Sequence, residues 1–201
     1  MAKKYEKVKL GLPAYITFIA FAIAIIVMII ILIPSNKQKV RKMFNGTYTE
    51  AGGQGQEAET KSYDLGEKHV IKTCSFSSLK KQMKKDKYTY ILYGDTTNTD
   101  FCLNVIEINK KAKEINESTD GKKISIIYVN SKTLSDNQKE YLRDRLKVVN
   151  PDVKSIEKMP TMDFWVTRND EIIDCYSREE YQEAERSMTY IAKYKIFSYT
   201  N

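Results

Sequence analysis

The segment Tyr88-Thr89-Tyr90-Ile91-Leu92-Tyr93-Gly94-Asp95 combines β-branched and aromatic residues and ends in a turn signal. This composition is typical of a buried strand. Apolar residues then recur at spacings of four, three, four and three over residues 101–115, which predicts an amphipathic helix with Thr99 or Asp100 as its N-cap. A second buried strand is predicted at 123–129. Because a crossover helix joins the two strands, they are expected to be parallel.

The same patterns continue outward from this unit. The further predicted elements are a short strand around Val70 and Ile71, a basic helix at 77–87 with Ser77 as its cap, a helix that begins with the capping box Ser135–Gln138, a hairpin of 162–167 and 171–176 around Asn169-Asp170, and a last helix beginning near Ser177. Parallel strands joined by helices and followed by a hairpin predict a mixed α/β sheet covered on both faces.

An uncharged apolar run precedes this domain. Residues 14–33 form a stretch of twenty residues that would make a helix about 30 Å long, the thickness of a hydrocarbon core. No A-x-A-like cleavage site follows, which favours a signal anchor over a cleaved signal peptide. The sequence therefore predicts a basic segment at 1–11, a transmembrane helix in contact with membrane lipid at 12–34, a flexible, partly glycine-rich stalk at 35–67, and a globular domain at 68–201.

Charge is distributed unevenly along the chain. Residues 1–42 contain eight basic residues and one acidic residue, whereas the remaining residues contain 25 of each. The excess lies beside the apolar run, where basic residues meet anionic headgroups, and we expect no nucleic-acid partner for a domain without net charge. The first helix of a chain usually inserts with a short N-terminus inside. We therefore expect a single-pass protein of the cell membrane with a cytoplasmic N-terminus and an extracytoplasmic domain.

Cysteine and histidine are sparse. Cys74, Cys102 and Cys175 are far apart in the sequence and no C-x-x-C motif exists, so no disulfide framework is predicted. Cys74 and Cys175 are interpreted as packing residues that do not bridge each other. His69 is the single histidine and has no cysteine cluster beside it, so it is interpreted as a surface or strand residue, and we expect no metal site and no cofactor.

Three features carry a family resemblance. They are the order of the elements, the loop and helix start at 94–102, and the sequence Met159-Pro160-Thr161 directly before the hairpin strand. Over about residues 69–197 the chain resembles the thioredoxin superfamily. It looks most like membrane-anchored thioredoxin-like proteins of Gram-positive bacteria, including the bacteriocin-transport accessory type. The resemblance implies a thioredoxin-like fold, a cis peptide bond before Pro160, and partner binding at Met159, Pro160 and Thr161 by strand addition.

The active-site motif of the redox-active relatives is missing. Dithiol exchange needs an attacking thiolate at a helix N-terminus and a second cysteine one turn on. If the four-residue motif is placed at residues 99–102, Cys102 takes the second cysteine position and Thr99 replaces the attacking cysteine. If it is placed at residues 98–101, the motif contains no sulfur. Asp100 would disfavour a nearby thiolate by like-charge repulsion. Cys102 is either a catalytic thiol that acts alone or a half-buried packing residue beside Val105 and Ile106.

Three functions follow from these expectations. The first is a membrane-tethered thioredoxin-like protein without dithiol activity, which binds a protein or peptide partner as an accessory in a secretion, transport or cell-envelope process. The second is a single-cysteine redox protein that uses Cys102. The third is a structural subunit of a membrane complex. The absence of a cysteine pair favours a non-enzymatic role.

Overall fold

The computed structural model of the protein describes residues 11–32, 34–50, 57–118 and 123–177. The first helix, α1 (Leu12–Leu32), belongs to a unit that ends at Ser35, and a second unit begins at Asn36. Residues Leu12–Ile29 have a mean hydropathy of 2.6, and none of them is buried. This helix is therefore long and apolar enough to span a membrane.

The second unit alternates helices and strands. Its elements are α2 (Asn36–Met43), β1 (Asn45–Glu50), β2 (Glu59–Asp64), β3 (Ile71–Thr73), α3 (Phe76–Met83), β4 (Thr89–Gly94), α4 (Thr99–Ser118), β5 (Ile126–Asn130), α5 (Asp136–Val149), a 3-10 turn (Ile156–Lys158), β6 (Asp163–Arg168) and β7 (Glu171–Ser177).

Five of these strands form one mixed sheet in the order β3-β5-β4-β6-β7. Strands β3, β5 and β4 run parallel, whereas β6 runs antiparallel to β4 and β7 antiparallel to β6. Strands β1 and β2 pair with each other in a separate antiparallel hairpin. The predicted mixed α/β sheet flanked by helices is confirmed.

The core is divided by the sheet into two clusters, because successive strand residues point to opposite faces. Tyr90 and Leu92 of β4 pack with α2 and α4, on what we call the α4 face. Ile91 and Tyr93 of the same strand pack with α3 and α5, on the α5 face. Every residue of β4 is buried, as expected for the centre of a covered parallel sheet.

The predicted flexible stalk at 35–67 is wrong for the part that the structure describes. Val40 and Phe44 are fully buried and Leu65 is almost fully buried, all three within the cluster of the α4 face. Arg41 forms an ion pair with Asp64 and so ties α2 to β2. The glycine-rich composition of the middle of this segment suggested a solvated tether, but the apolar residues on either side of it bury against the domain.

Several helix starts and turns were predictable from local motifs. The Ser135–Gln138 capping box is confirmed, with the Ser135 amide donating to Gln138 Oε1 at 3.0 Å. The hairpin is confirmed as well: Asn169 and Asp170 have φ values of 53° and 67°, as its tight turn requires. The cap predicted at Ser77 is instead Ser75, whose side chain accepts from the amide of Ser78.

The predicted last helix lies outside the described residues. This includes its second capping box and its aromatic side chains, namely Tyr181, Tyr190, Tyr194, Phe197 and Tyr199.

Candidate functional site

The loop between β4 and α4 is ordered by its own polar side chains. The Asn98 carboxamide oxygen accepts from the Phe101 amide at 3.0 Å, so Asn98 caps α4 rather than Thr99 or Asp100. Asp95 accepts from the Thr97 amide at 2.9 Å and pairs with the Lys132 ammonium at 2.6 Å. Burial acts to raise the pKa of Asp95, but the bonds from Lys132 and Thr97 outweigh it and lower that pKa to about 2.

Cys102 lies in the first turn of α4 and is fully buried. Its thiol donates to the carbonyl oxygen of Thr96 at 3.3 Å. Burial raises the pKa of the Cys102 thiol, and the Asp95 carboxylate adds to this effect, whereas Tyr63 acts in the opposite direction. Since a nucleophilic cysteine needs a stabilised thiolate and access to solvent, this environment favours an inert thiol.

Tyr63 of β2 covers this helix start, and no pattern in the sequence indicates this contact. Its half-buried side chain interacts with the side chains of Thr99 and Cys102, and burial raises the pKa of its hydroxyl. The opposite strand makes room for the ring at Gly46, where an added Cβ would lie 2.6 Å from the Tyr63 hydroxyl oxygen. The hairpin of β1 and β2 thus closes over Thr99 and Cys102.

The partner-binding segment suggested by the resemblance lies before β6. Met159 is half-buried on the α5 face, Pro160 is buried and Thr161 is exposed. The expected cis bond is wrong: no peptide bond among the described residues is cis. The Met159 amide donates to Ile156 O at 3.1 Å, and its extended backbone (φ −64°, ψ 140°) is the conformation that a residue before a trans proline prefers.

Met159 and Cys102 are not brought together by the fold. Met159 packs in the cluster of the α5 face and Cys102 in that of the α4 face, so the sheet separates these two side chains. Thr99 and Cys102 lie together in the first turn of α4, and the Tyr63 side chain interacts with both.

A buried carboxylate, which no sequence pattern indicates, lies at the start of β6. Asp163 is fully buried and accepts three hydrogen bonds: from the amides of Phe164 (2.8 Å) and Tyr176 (3.0 Å), and from the Trp165 indole (2.6 Å). Such bonds to a charged acceptor offset much of the cost of its burial. Asp163 therefore fixes the start of the β6–β7 hairpin and the orientation of the single tryptophan.

A groove of about 350 Å³ lies at the carboxyl ends of β3 and β5, the end of a parallel sheet at which ligands commonly bind. Cys74 lines it and is exposed; partial burial of the thiol raises the pKa of Cys74, and Lys72 opposes the change. The other lining residues are Met43, Thr73, Phe76, Leu79, Tyr128, Val129, Asn130, Thr133, Leu134 and Gln138.

A second cavity, of about 290 Å³, lies beside the first turn of α2 and is called here the basic cavity. It is lined by Asn36, Lys37, His69, Val70, Ile71, Lys72, Asn116, Lys123, Ile124 and Ser125. His69 is 3% exposed, and its Nε2 lies 2.9 Å from the carbonyl oxygen of Lys37. Its Nδ1 is buried without a hydrogen-bond partner.

The described part of the chain contains neither a candidate metal site nor a disulfide bond. No group of three or more metal-ligating side chains is found there, and Cys74, Cys102 and Cys175 are all free thiols.

Comparisons with known proteins add no relatives: no family model, no curated protein and no solved structure matches this chain. The described molecule is thus a mixed α/β domain that follows one helix apolar enough to span a membrane.

Proposed function

We propose that this chain is a membrane-anchored, thioredoxin-like protein without dithiol activity, which binds a protein or peptide partner as an accessory in a secretion, transport or cell-envelope process. Helix α1 supplies the anchor. The order of the elements, with a parallel core followed by an antiparallel hairpin, supports the thioredoxin-like assignment. The partner-binding role is proposed for the segment that precedes β6.

The state of Cys102 is the observation that carries the non-redox part of this proposal. A helix N-terminus makes a thiol reactive only where the thiolate is also accessible to solvent. Here the thiol of Cys102 is fully buried, Thr99 stands in the place of the attacking cysteine, and Tyr63 covers both. Thiol exchange also requires a partner sulfur to reach the attacking atom, and this geometry blocks that approach.

Native thiol labelling tests this directly. The full chain in a nonionic detergent is treated at neutral pH with a small alkylating reagent, and each cysteine is assigned by mass spectrometry. Cys74 is expected to react readily, because it is exposed, and Cys102 only after unfolding. The variant Cys74→Ser is the matched control, since it removes the exposed thiol and leaves the buried one. Rapid labelling of Cys102 in that variant would instead favour the single-cysteine redox function.

Partner binding is proposed at residues 159–161 because Thr161 is exposed and the Met159 backbone is extended, as strand addition requires. A photo-crosslinking residue at position 161 in intact cells of the source organism is expected to give a discrete adduct. The same residue at Val148, which is 70% exposed on α5, serves as the control. Equal crosslinking at both positions would contradict a specific site at 161.

A further inference from the structure

The basic cavity is lined by three lysines and no acidic residue. Lys37, Lys72 and Lys123 are all exposed, and within the described chain none of them forms an ion pair with a carboxylate. Asn36 is held by Thr73, whose hydroxyl donates to it at 3.0 Å, so this part of the wall is fixed. Like charges that converge on one concave surface attract an anion to it.

His69 lines this cavity and carries a polar ring atom that forms no hydrogen bond within the described chain. The carbonyl oxygen of Lys37 can only accept, so the hydrogen of the neutral ring is on Nε2, which donates to that oxygen at 2.9 Å. Nδ1 is then an acceptor, and it is buried without a partner. Buried polar atoms are normally hydrogen-bonded. A ligand that carries both a negative charge and a hydroxyl group would satisfy the lysines and Nδ1 together.

The first residues of α2, which line this cavity, follow α1 closely along the chain. Only residues 33–35 separate α1 from α2, and Asn36 and Lys37, which line the cavity, are the first two residues of α2. An extended chain from Leu32 to Asn36 spans at most about 14 Å. If α1 crosses a bilayer, this wall of the cavity is tethered within reach of the phospholipid headgroups.

We infer that the basic cavity binds the headgroup of an anionic phospholipid, a phosphodiester with free hydroxyl groups, of which phosphatidylglycerol is the simplest example. Lys72 and Lys123 pair with the phosphate, and a headgroup hydroxyl donates to His69 Nδ1. The inference rests on the proposed membrane anchor but not on the proposed partner. It gives the domain a fixed attachment to the membrane surface in addition to its covalent tether.

The single histidine makes the test specific to this site. The full chain, purified with a tag that contains no histidine, is labelled with [15N]histidine and placed in phosphatidylcholine nanodiscs. Phosphatidylglycerol is then added in increasing proportion, and the ring nitrogens of His69 are followed by NMR. We expect a saturable shift of the Nδ1 resonance with phosphatidylglycerol and none with phosphatidylcholine alone. Glycerol phosphate added in solution is expected to leave the resonance unchanged at the same overall concentration.

Lysine variants identify the charges involved. The double variant Lys72→Ser/Lys123→Ser is expected to weaken the apparent affinity for phosphatidylglycerol roughly thirtyfold, since each lysine near a headgroup contributes about a fivefold effect on affinity. Lys158→Ser is the matched control, because Lys158 is exposed, forms no ion pair within the described residues and does not line the cavity. Trp165 fluorescence verifies that each variant is folded.

Three results would overturn the inference: no shift with phosphatidylglycerol, an equal shift with glycerol phosphate in solution, or an equal loss in the double variant and the control. An equal shift with glycerol phosphate would assign the cavity to a soluble phosphate ester. An equal loss in the double variant and the control would mean that phosphatidylglycerol acts through general attraction to surface lysines. Failure of the anchor itself is detected separately, because a chain that does not float with phosphatidylcholine vesicles is not anchored by α1.

Discussion

Replacing Phe44 by alanine tests whether residues 36–50 and 57–67 are part of the folded domain. Phe44 lies just after α2 and is fully buried. Its ring packs edge-on against Tyr128 of β5, with centroids 5.0 Å apart, and lies 6.1 Å from the ring of Phe101 in α4. The side chain therefore joins a segment that looks like a tether in the sequence to the central sheet and its covering helix.

The expected cost is large because the substitution removes a fully buried ring and its contacts with two other aromatic rings. Truncation of a buried phenylalanine to alanine destabilises a domain by about 3–5 kcal/mol, a large part of a typical total stability of about 5–15 kcal/mol. With a urea m value of about 2 kcal/mol/M, the unfolding midpoint should fall by about 2 M. The measurement is urea unfolding of the full chain in a nonionic detergent, followed by fluorescence of the single, fully buried Trp165.

Met43→Ala is the matched control for this experiment. Met43 is the neighbouring residue, also large and apolar, but it is 44% exposed, so its truncation should cost less than about 1 kcal/mol. If Phe44→Ala changed the midpoint no more than Met43→Ala does, the ring would not be part of a packed core. The interpretation of residues 36–50 and 57–67 as an integral part of the domain would then be wrong.

Three further results are expected. Asp163→Asn should cost about 1–3 kcal/mol and shift Trp165 emission to the red, because the new amide NH2 cannot accept from the indole; an unchanged spectrum would contradict the hydrogen-bond assignment. Tyr63→Ala should make Cys102 reactive in the native labelling assay, whereas in the control variant Cys74→Ser the labelling of Cys102 should be no faster than in the wild type. If Cys102 stayed unreactive in Tyr63→Ala, Tyr63 would not be the side chain that covers it. Hydrogen bonds from its arginine partner lower the pKa of Asp64 from 3.8 to about 2, so the pair stabilises the fold above pH 4 and this contribution is lost as the pH falls towards 2; the midpoint difference between wild type and Asp64→Asn should shrink over that range.

The parts of the fold that could be predicted are those encoded in short, periodic patterns. Strand β4 is buried on both faces, so its composition alone identified it. Helix α4 shows one apolar face at helical spacing, and the β6–β7 turn uses Asn169 and Asp170, two residues that tolerate positive φ. In each case the information lies within a few neighbouring residues, and the tertiary structure agrees with it.

The parts that could not be predicted depend on distant contacts. In the segment before β3, burial falls on isolated residues such as Val40, Phe44 and Leu65, which form no repeating pattern. The glycine-rich stretch between them dominates the composition and suggests a solvated chain. The cover over Cys102 arises in the same way, since Tyr63 reaches α4 from a strand far back in the sequence. No local sequence pattern predicts a contact between Tyr63 and Cys102.

Burial of the α4 N-terminus links the low reactivity expected of Cys102 to the stability of the domain. A helix N-terminus can stabilise a thiolate, but only at a solvated position. In this chain the same position receives Tyr63, the Asn98 cap and a fully buried Cys102, so the groups that would have to be solvated for catalysis are used for packing. Removing Tyr63 to make Cys102 reactive would expose the α4 face, and for this reason we expect labelling of Cys102 and loss of stability to appear together in the same variants.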